Sequence, residues 1–196
     1  MTGATRGIEG LLVRVEVYLA DGVPAFHTVG LPDTSVREAR ERVRAALTTS
    51  GYRFPESRIT INLAPADVPK QGSGFDLAVA VGLLAAKGVV STERLESTLL
   101  MGELALDGGL RPVRGVLPIV VEARTAGLAA AIVPRSNGEE AALVKGLAVY
   151  PVSTLREVVD LLGFGPMPKP YEAPCARSRP SAGLADLADV KAQYGA

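Results

Sequence analysis

With one cysteine, one histidine and no surplus of either charge in 196 residues, several function classes fall away at once. Cys175 alone cannot build an internal disulfide framework. His27 has no cluster of Cys, Asp or Glu around it at metal-ligand spacing, so it reads as an ordinary strand residue and no metal site is expected. Lys plus Arg and Asp plus Glu each total 21, a formal net charge of zero. That argues against a domain living on non-specific phosphate binding, while a local basic patch stays open. No uninterrupted apolar run reaches the roughly 18 residues of a membrane span. The first residues also lack the basic, then apolar, pattern of a secretion signal. The expectation is a soluble cytoplasmic protein with no membrane partner. The pattern G-x-x-x-x-G-K-[ST] is absent too, so ATP hydrolysis of the P-loop kind is not expected from these residues.

What is present is an ample apolar fraction, 47%, and one stretch around which the rest is arranged, Ile59 to Lys87. Ile59, Ile61 and Leu63 alternate with Thr60 and Asn62, the period of a strand with one face in a core. Ala64 to Gly74 holds two prolines, two glycines, Asp67 and Lys70, and must be a loop. From Phe75 the pattern is helical, with Leu77, Ala80, Val81 and Leu84 on one face and Gly88 at the expected C-terminal cap. A small-residue loop running into a helix N-terminus is a place to bind an anion or to set a nucleophile against backbone N–H groups.

Around this stretch the chain reads as an α/β protein. Met1 to Gly10 is small and polar, with little to hold it. Leu11 to Leu19 alternates as a strand, Asp21-Gly22 signals a hairpin, and Ala25 to Val29 reads as the returning strand. Asp33 or Thr34 caps a helix with a stripe of Val36, Ala39, Val43, Ala46 and Leu47, ended by Gly51. On its other face Arg37–Glu41 and Glu38–Arg42 are four-residue pairs of opposite sign, and Arg37, Arg40 and Arg44 line up as a basic edge. After a short connection, Leu99 to Leu106 reads as a strand and Asp107-Gly108-Gly109 as a tight turn into Leu110 to Val113. A helix over Gly115 to Ala126, strands at 129–133 and 148–151, a short helix capped by Ser136-Asn137 and a closing helix over Thr154 to Leu162 complete the pattern. Two hairpins followed by strand–helix alternation predict an α/β sandwich, helices packed on a mixed sheet. Five prolines between Pro166 and Pro180 then mark a linker. The division is a domain over 1–163, a linker over 164–182 and the beginning of something else over 183–196.

The candidate chemistry is confined to the central loop. Ser73 with Lys70 three residues before it is a Ser–Lys pair, although one flexible turn would not hold the lysine in a dry pocket. Asp76 reads as a first-turn carboxylate favoured by the helix dipole. One of Gly72 and Gly74 is expected at positive φ or in close approach to a neighbour. Arg37, Arg40, Arg44 and Lys70 are the candidate cations for DNA or another anion, because phosphate binding needs clustered positive charge.

Three runs, FHTVGLPDTSVREARERVRAAL, ITINLAPADVPKQGSGFDLAVAVGLLAAKG and GELALDGGLRPVRGVLP, resemble the N-terminal domain of the ComM/YifB family of Mg-chelatase-like AAA+ proteins. The resemblance covers about Gly7 to Leu162, and DLADVKAQ in the tail is similar to the segment just before the family's ATPase module. It implies the fold of the Lon protease domain, a ribosomal-protein-type superfold. On Lon's pattern the catalytic serine falls on Gly74 and the catalytic lysine on Leu117, so the resemblance implies a scaffold without the dyad. It further implies a hexameric parent that uses ATP and Mg2+ in a module outside these residues, and acts on DNA in branch migration, recombination or natural transformation. A residual serine hydrolase using Ser73 is the competing reading.

Overall fold

A computed structural model describes residues 1–172. Cys175, the segment 183–196 and the later part of the expected linker lie outside the described residues. The order of elements is β1 (Thr2–Arg6), β2 (Glu9–Ala20), β3 (Ala25–Val29), α1 (Thr34–Thr49), β4 (Arg58–Ala64) and α2 (Asp76–Ala86). Then follow α3 (Thr92–Glu96), β5 (Thr98–Leu100), β6 (Glu103–Leu104), β7 (Leu110–Arg111), α4 (Val116–Thr125), β8 (Ala130–Pro134), α5 (Gly138–Ala141), β9 (Ala148–Val152) and α6 (Leu155–Leu162).

The amino-terminal sheet is mixed, in the order β1-β2-β4-β3, with β4 antiparallel to β2 and parallel to β3. The expected hairpin of β2 and β3 is therefore corrected: the chain does turn at 21–24, but β4 inserts between the two strands. The insertion follows from pattern, since Ile59, Ile61 and Leu63 are fully buried and demand a central position, while β3 has no fully buried residue. A second correction concerns the chain start. Thr2–Arg6 is a strand paired with β2, and Leu100 N–H donates to Met1 O at 2.8 Å, joining it to the other sheet. Its small residues fit because Gly3 passes against Ile119 of α4, a partner more than a hundred residues away.

The second sheet, β5-β8-β9, is all parallel and buried on both faces, which explains its near-continuous apolar strands. Ala130 and Ile132 of β8 face the core shared with α1, α2 and α6. Ala131 and Val133 face a smaller core against α4 and α5. The predicted strand over Leu99 to Leu106 is broken in two at Met101-Gly102, because Gly102 leaves β5 to exchange hydrogen bonds with Gly74 and Leu77. Its second half pairs with β7 through the expected turn, where Gly109 N–H donates to Asp107 Oδ1 at 2.9 Å. Ser91 to Leu95, read as a connection, holds the short helix α3.

Helix α1 is as its pattern predicts: capped by Asp33, with Val36, Ala39, Val43, Ala46 and Leu47 as its buried residues. Helix α2 is buried on nearly every side rather than one, lying between α1 and the sheets. Gly82 permits this, since a Cβ there would stand 2.6 Å from the Val17 side chain of β2.

Candidate functional site

The loop from Pro65 to Phe75 brings β4 into α2 and crosses the start of α1. Leu31 O accepts from Lys70 N–H and Lys70 O accepts from Asp33 N–H, both at 3.0 Å, a two-bond bridge that fixes the loop to the chain before α1. Asp33 works twice: Oδ1 accepts from Val36 N–H at 2.8 Å as the α1 cap, and Oδ2 accepts from Gly72 N–H at 3.0 Å. The first N–H groups of α2 are also in use, Asp76 N–H on Ser73 O and Leu77 N–H on Gly102 O. An incoming anion would find these donors taken and the carboxylates of Asp33, Asp76 and Glu103 around them. At this end of the loop the named donors and the nearby carboxylates work against a bound phosphate.

Asp76 is not a solvated first-turn carboxylate. It is fully buried, and Arg42 of α1 grips it with both ends of the guanidinium, Nε to Oδ2 at 2.6 Å and Nη2 to Oδ1 at 3.0 Å. Arg42 also donates to Ser35 O, and Leu104 N–H reaches Asp76 Oδ2 at 3.3 Å. Burial pushes the Asp76 carboxyl above the usual range, and Arg42 opposes that shift. The Arg42 guanidinium is itself held more firmly protonated, chiefly by its hydrogen bond to Asp76. The expected Glu38–Arg42 and Arg37–Glu41 pairs do not form: Arg42 turns inward, and Arg37 donates to Pro32 O. One signal for Asp76 was legible, a single charge in the apolar run from Phe75 to Ala86. Nothing local named Arg42 as its partner.

Ser73 and Lys70 do not face one another. The Ser73 hydroxyl donates to Glu103, a residue the sequence reading missed, and Arg111 Nη1 holds the other Glu103 oxygen at 3.3 Å. Lys70 is fully buried with its ammonium donating to Pro65 O, and burial lowers its pKa while Asp67 opposes the shift. The lysine is thus in a drier place than a flexible turn would offer, yet it is spent on a carbonyl and is absent from the surface. As a contact for DNA it is corrected on that ground. Ser73, Gly74 and Glu103 line a pocket of about 300 Å³ with Val113 and Arg114. Leu117 does not line it; it faces another hollow, beside Pro118 and Val121. Gly72 has φ +85°, as expected of one of the two glycines, whereas a Cβ on Gly74 would meet Val113 at an ordinary 3.7 Å.

The basic edge is partly committed. Arg37 is tied to Pro32 O, Arg40 lies 3.7 Å from Glu41, and Arg44 stands over the Phe54 ring at 5.8 Å. His27 lies on β3. Among the described residues no three His, Cys, Asp or Glu converge to hold a metal ion, and no helix is long and apolar enough to cross a membrane.

With this geometry in hand, the similarities of the chain are informative. The family described as "Subunit ChlI of Mg-chelatase" matches residues 15–137. Competence protein ComM of Haemophilus influenzae is 43% identical over 159 residues, 81% of this chain and 31% of that protein. The uncharacterized protein YifB of Escherichia coli is 45% identical over 145 residues, 74% of this chain and 28% of that protein. Lon protease 2 of Bacillus subtilis is 28% identical over 154 residues, 74% of this chain and 27% of that protein, in keeping with the mixed α/β fold. The chain spans about a third of the length of these relatives.

Proposed function

The chain belongs to the Mg-chelatase ChlI-like family that includes ComM and YifB, and on that premise we propose that it is the non-catalytic N-terminal portion of a bacterial AAA+ ATPase. Its role is assembly and DNA engagement for a parent acting in branch migration, recombination or natural transformation. The observation that carries the non-catalytic part is the state of the Lon-like pocket. By the resemblance to Lon, Gly74 and Leu117 fall at the dyad positions, and only Gly74 lines the pocket; there the Ser73 hydroxyl is held by Glu103, and Lys70 is turned away onto Pro65 O. A serine without an amine or imidazole in reach lacks the activation that a nucleophile requires.

The parent is a cytoplasmic hexamer in this reading, and ATP with Mg2+ belongs to its nucleotide module rather than to the 72–76 loop. DNA is its partner, through cations left at the surface of this domain; the name Competence protein ComM, carried by a relative, agrees with a DNA role. The competing hydrolase reading has one observation on its side, the carboxylate placed on the Ser73 hydroxyl. A fluorophosphonate probe decides between them. No labelling that depends on Ser73 is expected, and no turnover of casein or ATP by this chain. Labelling abolished by Ser73→Ala would establish the hydrolase instead.

A further inference from the structure

A groove of about 660 Å³ lies on the side of the molecule formed by the end of α1, the loop over 51–57 and the end of α2. Arg44, Arg53 and Lys87 line it together with Tyr52, Phe54 and a single carboxylate, Glu56. Arg44 is exposed on the last turns of α1, Arg53 is exposed in the 51–57 loop, Lys87 caps the C-terminus of α2, and none of the three makes an ion pair among the described residues. From α6, Arg156 reaches Ser50 O at 3.0 Å beside the groove, and the charge of Asp160 on the same helix is felt at Tyr52. The local balance is four cations against two carboxylates, in a protein whose net charge is zero.

The cations are interleaved with a stack. Phe26 and Phe54 are stacked with centroids 6.3 Å apart, and the Arg44 guanidinium lies over Phe54 at 5.8 Å. Phe54 is only partly buried, so this column ends at the groove instead of closing inside the core. Bases stack on aromatic faces and on guanidinium planes, and a duplex keeps those base faces covered. Positive charge for the backbone and a stacking platform for an unpaired base therefore occur in one concavity.

We propose that this groove binds single-stranded nucleic acid, with Arg44 over Phe54 as the base platform and Arg53, Lys87 and Arg156 on the phosphates. The proposal rests on the DNA-engaging reading above and names its contact surface, which is distinct from the loop entering α2. Of the cations singled out from the sequence, Arg44 alone belongs to it.

Fluorescence anisotropy of the 196-residue chain with a fluorescein-labelled oligothymidine tests it, at about 20 nucleotides, longer than the roughly 4–16 nucleotides that an OB fold covers. Three or four phosphate contacts lower the affinity roughly 20- to 50-fold between about 50 and 200 mM NaCl. Arg53→Ala with Lys87→Ala, both at exposed positions, lowers it about tenfold at the lower salt and flattens the salt slope. Arg44→Lys keeps the charge but loses the planar group, so it weakens oligothymidine several-fold while leaving heparin binding unchanged. Arg37→Ala, outside the groove, has no effect. If the chain binds oligothymidine and the double variant binds equally well, the groove assignment is overturned while the DNA reading stands. Equal losses for heparin and oligothymidine in Arg44→Lys, or tighter binding of a duplex, also overturn it, in favour of a plain polyanion surface. No binding of either DNA at low salt overturns both.

Discussion

Asp33 and Asp76 both stand where the chain enters a helix, but Asp33 serves its own helix and Asp76 serves the contact between two. Asp33 bonds a backbone N–H three residues on, and its second oxygen reaches the loop at Gly72. Asp76 gives its helix no cap; it is buried completely and faces Arg42, thirty-four residues back. The first arrangement is partly wet, with one bond inside its own helix and one across to the loop, so losing it costs two hydrogen bonds and strands no buried charge. The second takes a charge out of water, so its cost depends on which partner is removed.

That asymmetry yields the largest expected effect. Arg42→Met leaves Asp76 with no cation in a fully buried place, and the variant should lose about 3–5 kcal/mol near neutral pH by urea unfolding. The loss should also depend on pH. Burial already raises the Asp76 carboxyl above its unfolded value of about 3.9, and removing Arg42 removes what opposes the rise. A group raised in the folded state favours folding most below its unfolded pKa, and that support disappears as pH rises through the folded pKa. The difference between wild type and Arg42→Met should therefore be small near pH 4 and largest near pH 8. A difference that is constant over this range would mean that Asp76 stays ionised without its partner.

Asp76→Ala is the milder cut of the same pair. Arg42 keeps a fifth of its side chain exposed and its bond to Ser35 O, so its charge can turn to water once the carboxylate is gone. A loss of about 2–3 kcal/mol is expected, and because the raised carboxyl is gone the loss should shrink, not grow, as pH rises, opposite to Arg42→Met. Asp33→Ala comes next, at about 1–2 kcal/mol, for a cap plus the Gly72 bond. If Asp33→Ala proved the costlier of the two aspartate variants, the division into a half-wet capping carboxylate and a buried, paired one would be wrong.

How far along the chain a feature's partners lie separates what was legible in the sequence from what was not. The five buried residues of α1, its Asp33 cap and the alternation of β4 were legible because each is set by neighbours within a few positions. The apolar mix of β8 marked a strand, and its two buried faces follow from the helices on either side. The strand Thr2–Arg6 was missed because its small residues mean burial only once Ile119 arrives against Gly3. The β2–β3 hairpin was expected from a sound local turn signal, and β4 overrode it by inserting its more apolar edge. At the site, Ser73, Gly72 and Gly74 announced the loop, but Glu103 and Arg42 come from other elements and carry no mark of their role. The groove at Arg44 escaped for the same reason, being assembled from the ends of α1 and α2 and the 51–57 loop.

The smallest expected effect tests the loop itself, by comparing its two glycines. Gly72 has φ +85°, a backbone region that costs an L side chain about 1 kcal/mol, and a Cβ there meets nothing within 4 Å. Gly72→Ala should therefore destabilise by about 1 kcal/mol through conformation alone, with no clash to relieve. Gly74 is not in that region, and its added Cβ would rest on Val113 at 3.7 Å, an ordinary contact. Gly74→Ala should change stability by less than about 0.5 kcal/mol, the scale of a substitution that breaks no special feature. Thermal unfolding of the pair at one pH is enough to read the difference. Equal losses would mean that the loop holds Gly74 as tightly as Gly72. A costly Gly74→Ala would show that the position aligned with a nucleophile has closed around its glycine, so a serine could not be restored there without repacking Val113.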